Sequence, residues 1–403
     1  MNVKLWWLIH RESRFNSYYL SPSRGGGRIR LIVKHLYVWY QALTMLWNKH
    51  LNIQQFPGKR KSRAKILWEN IVWTFKYKEP CKYYFAYGLD IKGKDPNDYV
   101  GYSEFRMMRN ILNIRQRENL NTLYTFNYLA LTRDKFVFYQ YCDSLKMPHP
   151  KTLALIRHGM ITYMDNAKII CEPLCSILDK NIDAFCKEVS GESGKGAFVL
   201  TVQNGNIKIN NCDSDINDLT HRIGDAYFIV QERLSNHKEI DRIYSNSLNT
   251  LKLYTFLHDD GKVEYCGAIL RFGVGGSIVD NASQGGFFVG LNNNGTLMNE
   301  GYFEPGNRKN LVVYGKHPDT NVSFAGIKLP YWDNIVETAR EFHKYFYGVP
   351  SIGWDIAITD EGFSFTETGE DWEIPAPQMA YGGLRKEFYR THGKALKIKL
   401  RSY

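Results

Sequence analysis

The segment that most narrows the possible folds is Phe185-Cys-Lys-Glu-Val-Ser-Gly-Glu-Ser-Gly-Lys-Gly-Ala-Phe-Val-Leu200. It reads as a strand carrying Lys187, a loop holding Gly191, Gly194 and Gly196 with Ser193 and Lys195 between them, and a second strand. Glycines let backbone N–H groups come close to phosphate oxygens, and a neighbouring lysine supplies countercharge. A phosphate loop that opens a helix is excluded. Position 189, where such a loop begins on Gly, is Val, and Gly196 stands where a hydroxyl residue follows the lysine. An ordinary glycine turn between two strands remains the plain alternative.

Three further segments keep this loop company. Tyr227-Phe-Ile-Val-Gln-Glu-Arg-Leu234 is a strand whose polar end, Gln231-Glu232, can offer backbone groups to a purine and a carboxylate to a ribose. The stretch from Ala268 to Gly286 combines Arg271 with Asp280, Asn281 and several glycines; its guanidinium can grip phosphate or carboxylate oxygens bidentately, or simply pair with Asp280. Gly353 to Glu373 reads as two antiparallel strands turning at Asp360-Glu-Gly362. Period-2 alternation then puts Asp355 and Glu367 on the same face. Paired carboxylates beside a phosphate cradle suit magnesium, which takes one or two carboxylates plus substrate phosphates. A solvated acidic hairpin is the other reading.

Strand-like runs at Ala197–Val202, Tyr227–Gln231, Leu251–Leu257 and Val263–Leu270 alternate with turn signals, of which Asn204-Gly205 is the strongest hairpin and Asp260-Gly261 another. Helices are expected at Tyr102–Gln116 and Trp332–Tyr347, the latter marked by Ile335, Ala339, Phe342 and Phe346. The organisation predicted is a basic, aromatic-rich, mainly helical segment over 1–80, a mixed region over 81–150, then strand-rich subdomains over 151–234 and 235–403.

The 403-residue chain is 44% hydrophobic and carries a net charge of +11, unevenly spread. Residues 1–80 hold 15 Lys and Arg against 3 Asp and Glu, leaving −1 for residues 81–403. Trp6, Trp7, Tyr18, Tyr19, Trp39 and Trp47 lie among these cations, and Lys59-Arg-Lys-Ser-Arg-Ala-Lys65 closes the series. Cations beside Trp and Tyr suit an anionic membrane surface, where each contributes roughly 1 kcal/mol; a solvated basic face docked on the body is the alternative. Leu36–Trp47 is the longest near-apolar stretch, and with Gln41 and Thr44 inside it falls short of the roughly 20 residues a crossing helix needs. No nucleic-acid-binding signature is present, so nucleic acid is not an expected partner. Seven scattered Cys without a CxxC pair, and no signal-peptide pattern after Met1, point to reduced thiols in the cytoplasm. Cys171 and Cys175 lack the second ligand pair a zinc site requires.

Taken in order, Tyr84-Phe-Ala-Tyr-Gly-Leu89, Asp134-Lys-Phe136, the glycine loop, Gln231-Glu232, Asn249-Thr250, Arg271 with Asp280-Asn281, His317-Pro318, Gly353-Trp-Asp-Ile-Ala-Ile358 with its glutamate strand, and Gln378 resemble the sugar-transfer-associated branch of the ATP-grasp superfamily. The resemblance spans roughly residues 80–390. It implies an α+β ATP-grasp fold in which two α+β subdomains clasp ATP, with Mg2+ as the second cofactor. Lys135, Lys187 and the loop of Gly191, Ser193, Gly194, Lys195 and Gly196 would lie over the phosphates, with Gln231 and Glu232 at adenine and ribose. Asp355, Glu367 and Glu370 would hold the metal, and Arg271, Lys252 and Asn281 would act on the reacting groups.

Two departures stand out. Gly369 replaces the Asn usually found two residues after the metal glutamate, which leaves Glu370 or Asp371 as substitutes. Lys252 stands where Arg is expected in the Asn-Thr-x-Arg pattern, keeping the charge and losing the bidentate fork. The reaction implied is activation of a carboxylate as acylphosphate for attack by an amine, on a small-molecule or glycan acceptor in surface-polysaccharide or glycoconjugate biosynthesis, in the cytoplasm or at the inner membrane face. The rivals are a kinase of the same fold acting on a sugar hydroxyl, and a non-catalytic nucleotide-binding scaffold for a membrane glycosyltransferase.

Overall fold

A computed structural model describes residues 36–41, 43–44, 54–77, 79–113, 128–165, 168–191, 194, 196–282, 285–305 and 311–401. Two antiparallel sheets organise them. The first contains β1 (Thr152–Arg157), β2 (Met160–Asp165), β3 (Lys168–Pro173), β4 (Ile182–Glu188), β5 (Phe198–Gln203), β6 (Asn206–Ile209), β7 (Cys212–Ser214) and β8 (Phe228–Glu232). Their order across the sheet is β3-β2-β1-β8-β4-β5-β6-β7. The second contains β9 (Thr250–Leu257), β10 (Val263–Phe272), β11 (Phe287–Leu291), β12 (Leu297–Phe303), β13 (Val312–Tyr314), β14 (Ser351–Thr359) and β15 (Gly362–Gly369), ordered β13-β12-β11-β10-β9-β14-β15.

The strand runs expected at 197–202, 227–231, 251–257 and 263–270 are present within two residues of their predicted ends, the strand carrying Lys187 begins earlier, at Ile182, and the hairpin expected over 353–373 ends at Gly369. Asn204 and Gly205 both have positive φ, 49° and 78°, and they turn β5 into β6 as a two-residue hairpin does. The expected helix at 332–347 is helical from Trp332 to His343 and finishes in a single 3-10 turn over Lys344–Phe346. The helix expected at 102–116 runs over Tyr102–Asn113, and residues 114–116 lie outside the described residues. Of residues 1–80, positions 36–41 and Arg63–Tyr77 are helical; the described residues do not include 1–35.

We label the helices α1 (Arg63–Tyr77), α2 (Tyr102–Asn113), α3 (Ala130–Arg133), α4 (Lys135–Leu145), α5 (Ile216–Ile223), α6 (Lys238–Asp241), α7 (Trp332–His343), α8 (Pro375–Tyr381) and α9 (Arg385–Arg401). Period-2 alternation gives each sheet one apolar face. In the first, Ala184, Cys186, Phe198, Leu200, Phe228 and Val230 form a core with Leu219 and Ile223 of α5. In the second, Leu251, Leu253, Leu270, Phe272, Trp354 and Ile356 pack with Ile335 and Ala339 of α7 and Phe138 of α4. The opposite face of the second sheet is covered in part: Ile269 and Phe288 by Tyr83, Tyr87 and Met379, and Tyr254 and Phe256 by α2 and α9. What remains uncovered faces the first sheet. Residues 79–113 thus pack with the covering layer, whereas 128–147 join the core of the second sheet through α4.

Candidate active site

Between the two sheets lies a cleft of about 790 Å³. Its floor comes from neighbouring strands of the second sheet, where Asp355 on β14 is in register with Lys252 on β9 and with Glu367 on β15. Alternation sends Trp354 and Ile356 into the core and leaves Asp355 facing the cleft with Lys252, as the hairpin pattern predicts. Lys252 Nζ donates to Asp355 Oδ2 at 3.1 Å, and Arg271 Nη2 stands 3.0 Å from Asp355 Oδ1. Arg271 also donates to Thr250 Oγ1 and lies 3.5 Å from Asp280, which in turn accepts from the Thr250 amide at 2.8 Å.

Burial works against the charge on Asp355, but the Arg271 guanidinium, followed by Lys252, outweighs it and holds the carboxyl below the usual range. Burial likewise works against the charge on Arg271, and Asp280 and then Asp355 reverse it, so the guanidinium is held more firmly charged than usual.

The opposite wall carries the glycine loop. Lys187 leaves β4 toward the cleft and donates to Tyr139 Oη at 2.8 Å and to the Thr366 carbonyl at 3.0 Å. Burial pulls its ammonium down to about 8, with Glu367 opposing and Lys135 assisting the shift. Lys135 opens α4, whose first turn is capped by the Asp134 side chain accepting from the Val137 amide at 2.9 Å. The Lys135 ammonium donates to the Gly191 carbonyl and lies 3.2 Å from Glu367 Oε1, while its backbone amide donates to Val189 O at 3.1 Å. One helix therefore fastens the glycine loop of the first sheet to the carboxylate strand of the second. Four cations, Lys135, Lys187, Lys252 and Arg271, thus meet the carboxylates Asp280, Asp355 and Glu367 in the cleft.

Most of the remaining predicted residues meet in the same cleft. Gly191, Gly194, Gln231, Glu232 and Asn281 line it. Gln231 donates to Pro150 O at 3.3 Å, and Glu232 accepts from the Lys151 amide at 2.8 Å. Gly194 and Gly196 both have positive φ, 68° and 74°, but Gly196 is exposed and is not among the cleft-lining residues. Ser193 and Lys195 lie outside the described residues.

Glu370 is not brought to the site. It follows the last residue of β15 with its side chain turned to α3, accepting from Thr132 Oγ1 at 2.6 Å and Arg133 Nε at 2.5 Å. Asp371, by contrast, lines the cleft. Two residues of the site carried no assigned role in the sequence reading. Tyr139, four residues after Lys135, shares its helical face, so the i, i+4 spacing was the available signal. Thr250 sits inside the Asn249-Thr250 motif, yet only the folded sheets show it joining Arg271 to Asp280.

A hard divalent cation fits this donor set. Asp355 Oδ1 is buried and receives no hydrogen bond, because Arg271 approaches it off the hydrogen-bond direction. Among the described residues no group of three or more His, Cys, Asp and Glu assembles, so Asp355 and Glu367 are the pair that would hold magnesium, with substrate phosphates completing its shell.

Two antiparallel sheets closing on a cleft lined by a glycine loop, four cations and a carboxylate pair are the features of the ATP-grasp class of proteins. The model of the sugar-transfer-associated ATP-grasp family matches residues 115–392, and the chain belongs to that family. No curated protein matches. Among solved structures, the D-alanyl-alanine synthetase A of Vibrio cholerae is similar at 11% identity and a TM-score of 0.40, covering 68% of this chain and 66% of its own. The VanG D-Ala:D-Ser ligase of Enterococcus faecalis is similar at 13% and 0.37, covering 67% and 62%. The N5-carboxyaminoimidazole ribonucleotide synthetase of Thermotoga maritima is similar at 12% and 0.32, covering 60% and 42%. The chain thus spans less than two thirds of the length of each of these three.

Proposed function

We propose that this protein is an ATP-dependent carboxylate-amine ligase. The observation that carries the reading is the convergence of Lys135, Lys187, Lys252 and Arg271 on the Asp355–Glu367 carboxylate pair beneath a glycine loop. In the reaction, an oxygen of the acceptor carboxylate attacks the γ-phosphorus of ATP and ADP leaves. An amine nitrogen then attacks the acyl carbon, phosphate departs, and the amine loses a proton. Such transfer relies on positioning and charge neutralisation more than on covalent help.

Lys187, Lys135 and the loop at Gly191 and Gly194 hold the phosphates, and Gln231 with Glu232 takes the adenine and ribose. Arg271, Lys252 and Asn281 face the acceptor carboxylate and the charge that develops on it. Magnesium, held by Asp355 and Glu367, would supply charge neutralisation at the phosphates. The family's association with sugar transfer supports a glycan or glycoconjugate acceptor, and the use of ATP supports action on the cytoplasmic side.

Thermal unfolding with MgATP, with ATP plus chelator, and with GTP tests the nucleotide site, since a ligand at about 100 times its Kd adds about 2.7 kcal/mol. A magnesium-dependent shift with ATP, lost in Glu367→Ala, is expected; no shift with any nucleotide overturns the reading. Hydroxylamine supplied with glycan acids then separates ligase from kinase. An acylphosphate yields a hydroxamate, whereas ADP release without hydroxamate identifies phosphorylation of a hydroxyl.

A further inference from the structure

Helix α1 is apolar on two sides. Ile66, Trp73 and Tyr77 point inward and are buried, which accounts for its attachment to the body. On the outer side Trp68, Val72 and Phe75, spaced i, i+4 and i+7, remain 61%, 42% and 62% exposed. Residues so spaced form one stripe on a helix. The helical residues 36–41 and 43–44 repeat the spacing, with Leu36, Tyr40 and Leu43 exposed at 64%, 63% and 42%.

Lys59, Arg63 and Lys65 are exposed just N-terminal to the stripe in sequence, Lys65 with its ammonium 3.7 Å from Glu69, whereas Arg60 and Lys61 are engaged more closely by Asp90 and Glu69. Charge along the chain reinforces this picture. Residues 385–401 carry seven Lys and Arg and one Glu, so with the +12 of residues 1–80 the whole net positive charge belongs to the two ends, and residues 81–384 are acidic at −7. The structure brings those ends together: Arg385, the first residue of α9, donates to Tyr77 Oη at the last residue of α1.

We propose that α1 is a membrane-docking helix, seating Trp68, Val72 and Phe75 at the headgroup–acyl boundary of an anionic bilayer while the exposed lysines and arginines near it meet the lipid phosphates. Indole and phenyl rings partition to that boundary, and anionic lipid draws in neighbouring cations. Charge complementarity favours this occupant over another protein: the apolar stripe lies within the most basic part of a chain whose remainder is acidic. No helix among the described residues is long and apolar enough to cross a membrane, so the attachment is peripheral. The inference concerns a surface away from the cleft and stands whether or not the ligase reading does.

Flotation of the full chain with vesicles tests it. The protein rises with vesicles of phosphatidylglycerol and phosphatidylcholine and stays behind with phosphatidylcholine alone. Trp68→Ser with Val72→Ser lowers the bound fraction on anionic vesicles at least tenfold, with the unfolding temperature unchanged because both side chains are exposed. Arg63→Gln with Lys65→Gln lowers it several-fold and leaves the stripe intact. Equal recovery on the two vesicle types, undiminished binding by the double serine variant, or no vesicle binding together with a dimer by light scattering that the double serine variant abolishes would each overturn the proposal, the last by assigning the stripe to a second copy of the chain.

Discussion

Lys187 shows what a binding cleft costs a single residue. Its amine is held near 8 by burial, well below the 10.5 of an unfolded lysine, because the residue is built into β4 facing a space shaped for an anion. Below pH 8 both states are protonated and the folded state bears the penalty of a desolvated ammonium; between 8 and 10.5 only the unfolded state holds the proton, so stability rises with pH. Lys187→Met should therefore make the ligand-free protein more stable at pH 7 by about 2–3 kcal/mol. It should also remove that alkaline rise and abolish the MgATP shift. Denaturant titrations at pH 7 and 9.5, with and without MgATP, check all three. A variant that loses both stability and nucleotide response would mean that Lys187 is structural.

At the scale of elements, the β11–β12 pair, separated by β10 and β9 from the hairpin bearing Asp355 and Glu367, depends on packing that tolerates little change. A Cβ on Gly301 of β12 would lie 1.9 Å from the Phe287 ring. That ring is fixed among Phe303, His317 and Phe324. Gly301→Ala is expected to cost about 3 kcal/mol by overpacking. Gly205→Ala, at φ 78° but with open space around the new carbon, should cost about 1 kcal/mol from backbone conformation alone. Urea midpoints measured at constant m-value give the comparison. Equal costs would show that the ring at 287 can move. The positive φ at Asn204-Gly205 was foreseeable from residue type; the crowding at Gly301 was not, since its partner on β11 is defined only once the strands are in register.

Across the whole molecule, the helical layer is tied together at one point. Glu104 of α2 is fully buried and accepts both Nη1 and Nη2 of Arg385 at 2.8 and 2.7 Å, together with Tyr389 Oη at 2.8 Å. Burial raises the cost of that carboxylate, but its hydrogen bonds, Arg385 foremost, keep its proton affinity below normal. Its contribution is present above about pH 4.5 and lost as acid takes it through the depressed value. Arg385→Met alone should cost about 3–5 kcal/mol by leaving Glu104 buried and unpaired. Joining it to Glu104→Met should restore most of that loss, because an apolar pair carries no desolvation penalty. The cycle is measured by thermal unfolding; equally destabilised single and double variants would show that packing, not charge, makes the joint.

From its residues alone the chain determined the strand runs, the Asn204-Gly205 hairpin, the common face of Asp355 and Glu367, the excess of cations and the kinship of its motifs. Each of these follows from local periodicity, backbone preference or residue chemistry. Three things were decided only by tertiary structure. Glu370 turns away to Arg133 and Thr132 because β15 ends at Gly369 beside α3. Lys135 and Tyr139 reach the glycine loop and Lys187 because α4 lodges between the two sheets. Thr250 joins Arg271 to Asp280 through a loop 30 residues away in sequence. The physical reason is the same in every case: which polar atom a side chain meets depends on strands and helices distant in sequence, and one chain's local pattern carries no record of that distance.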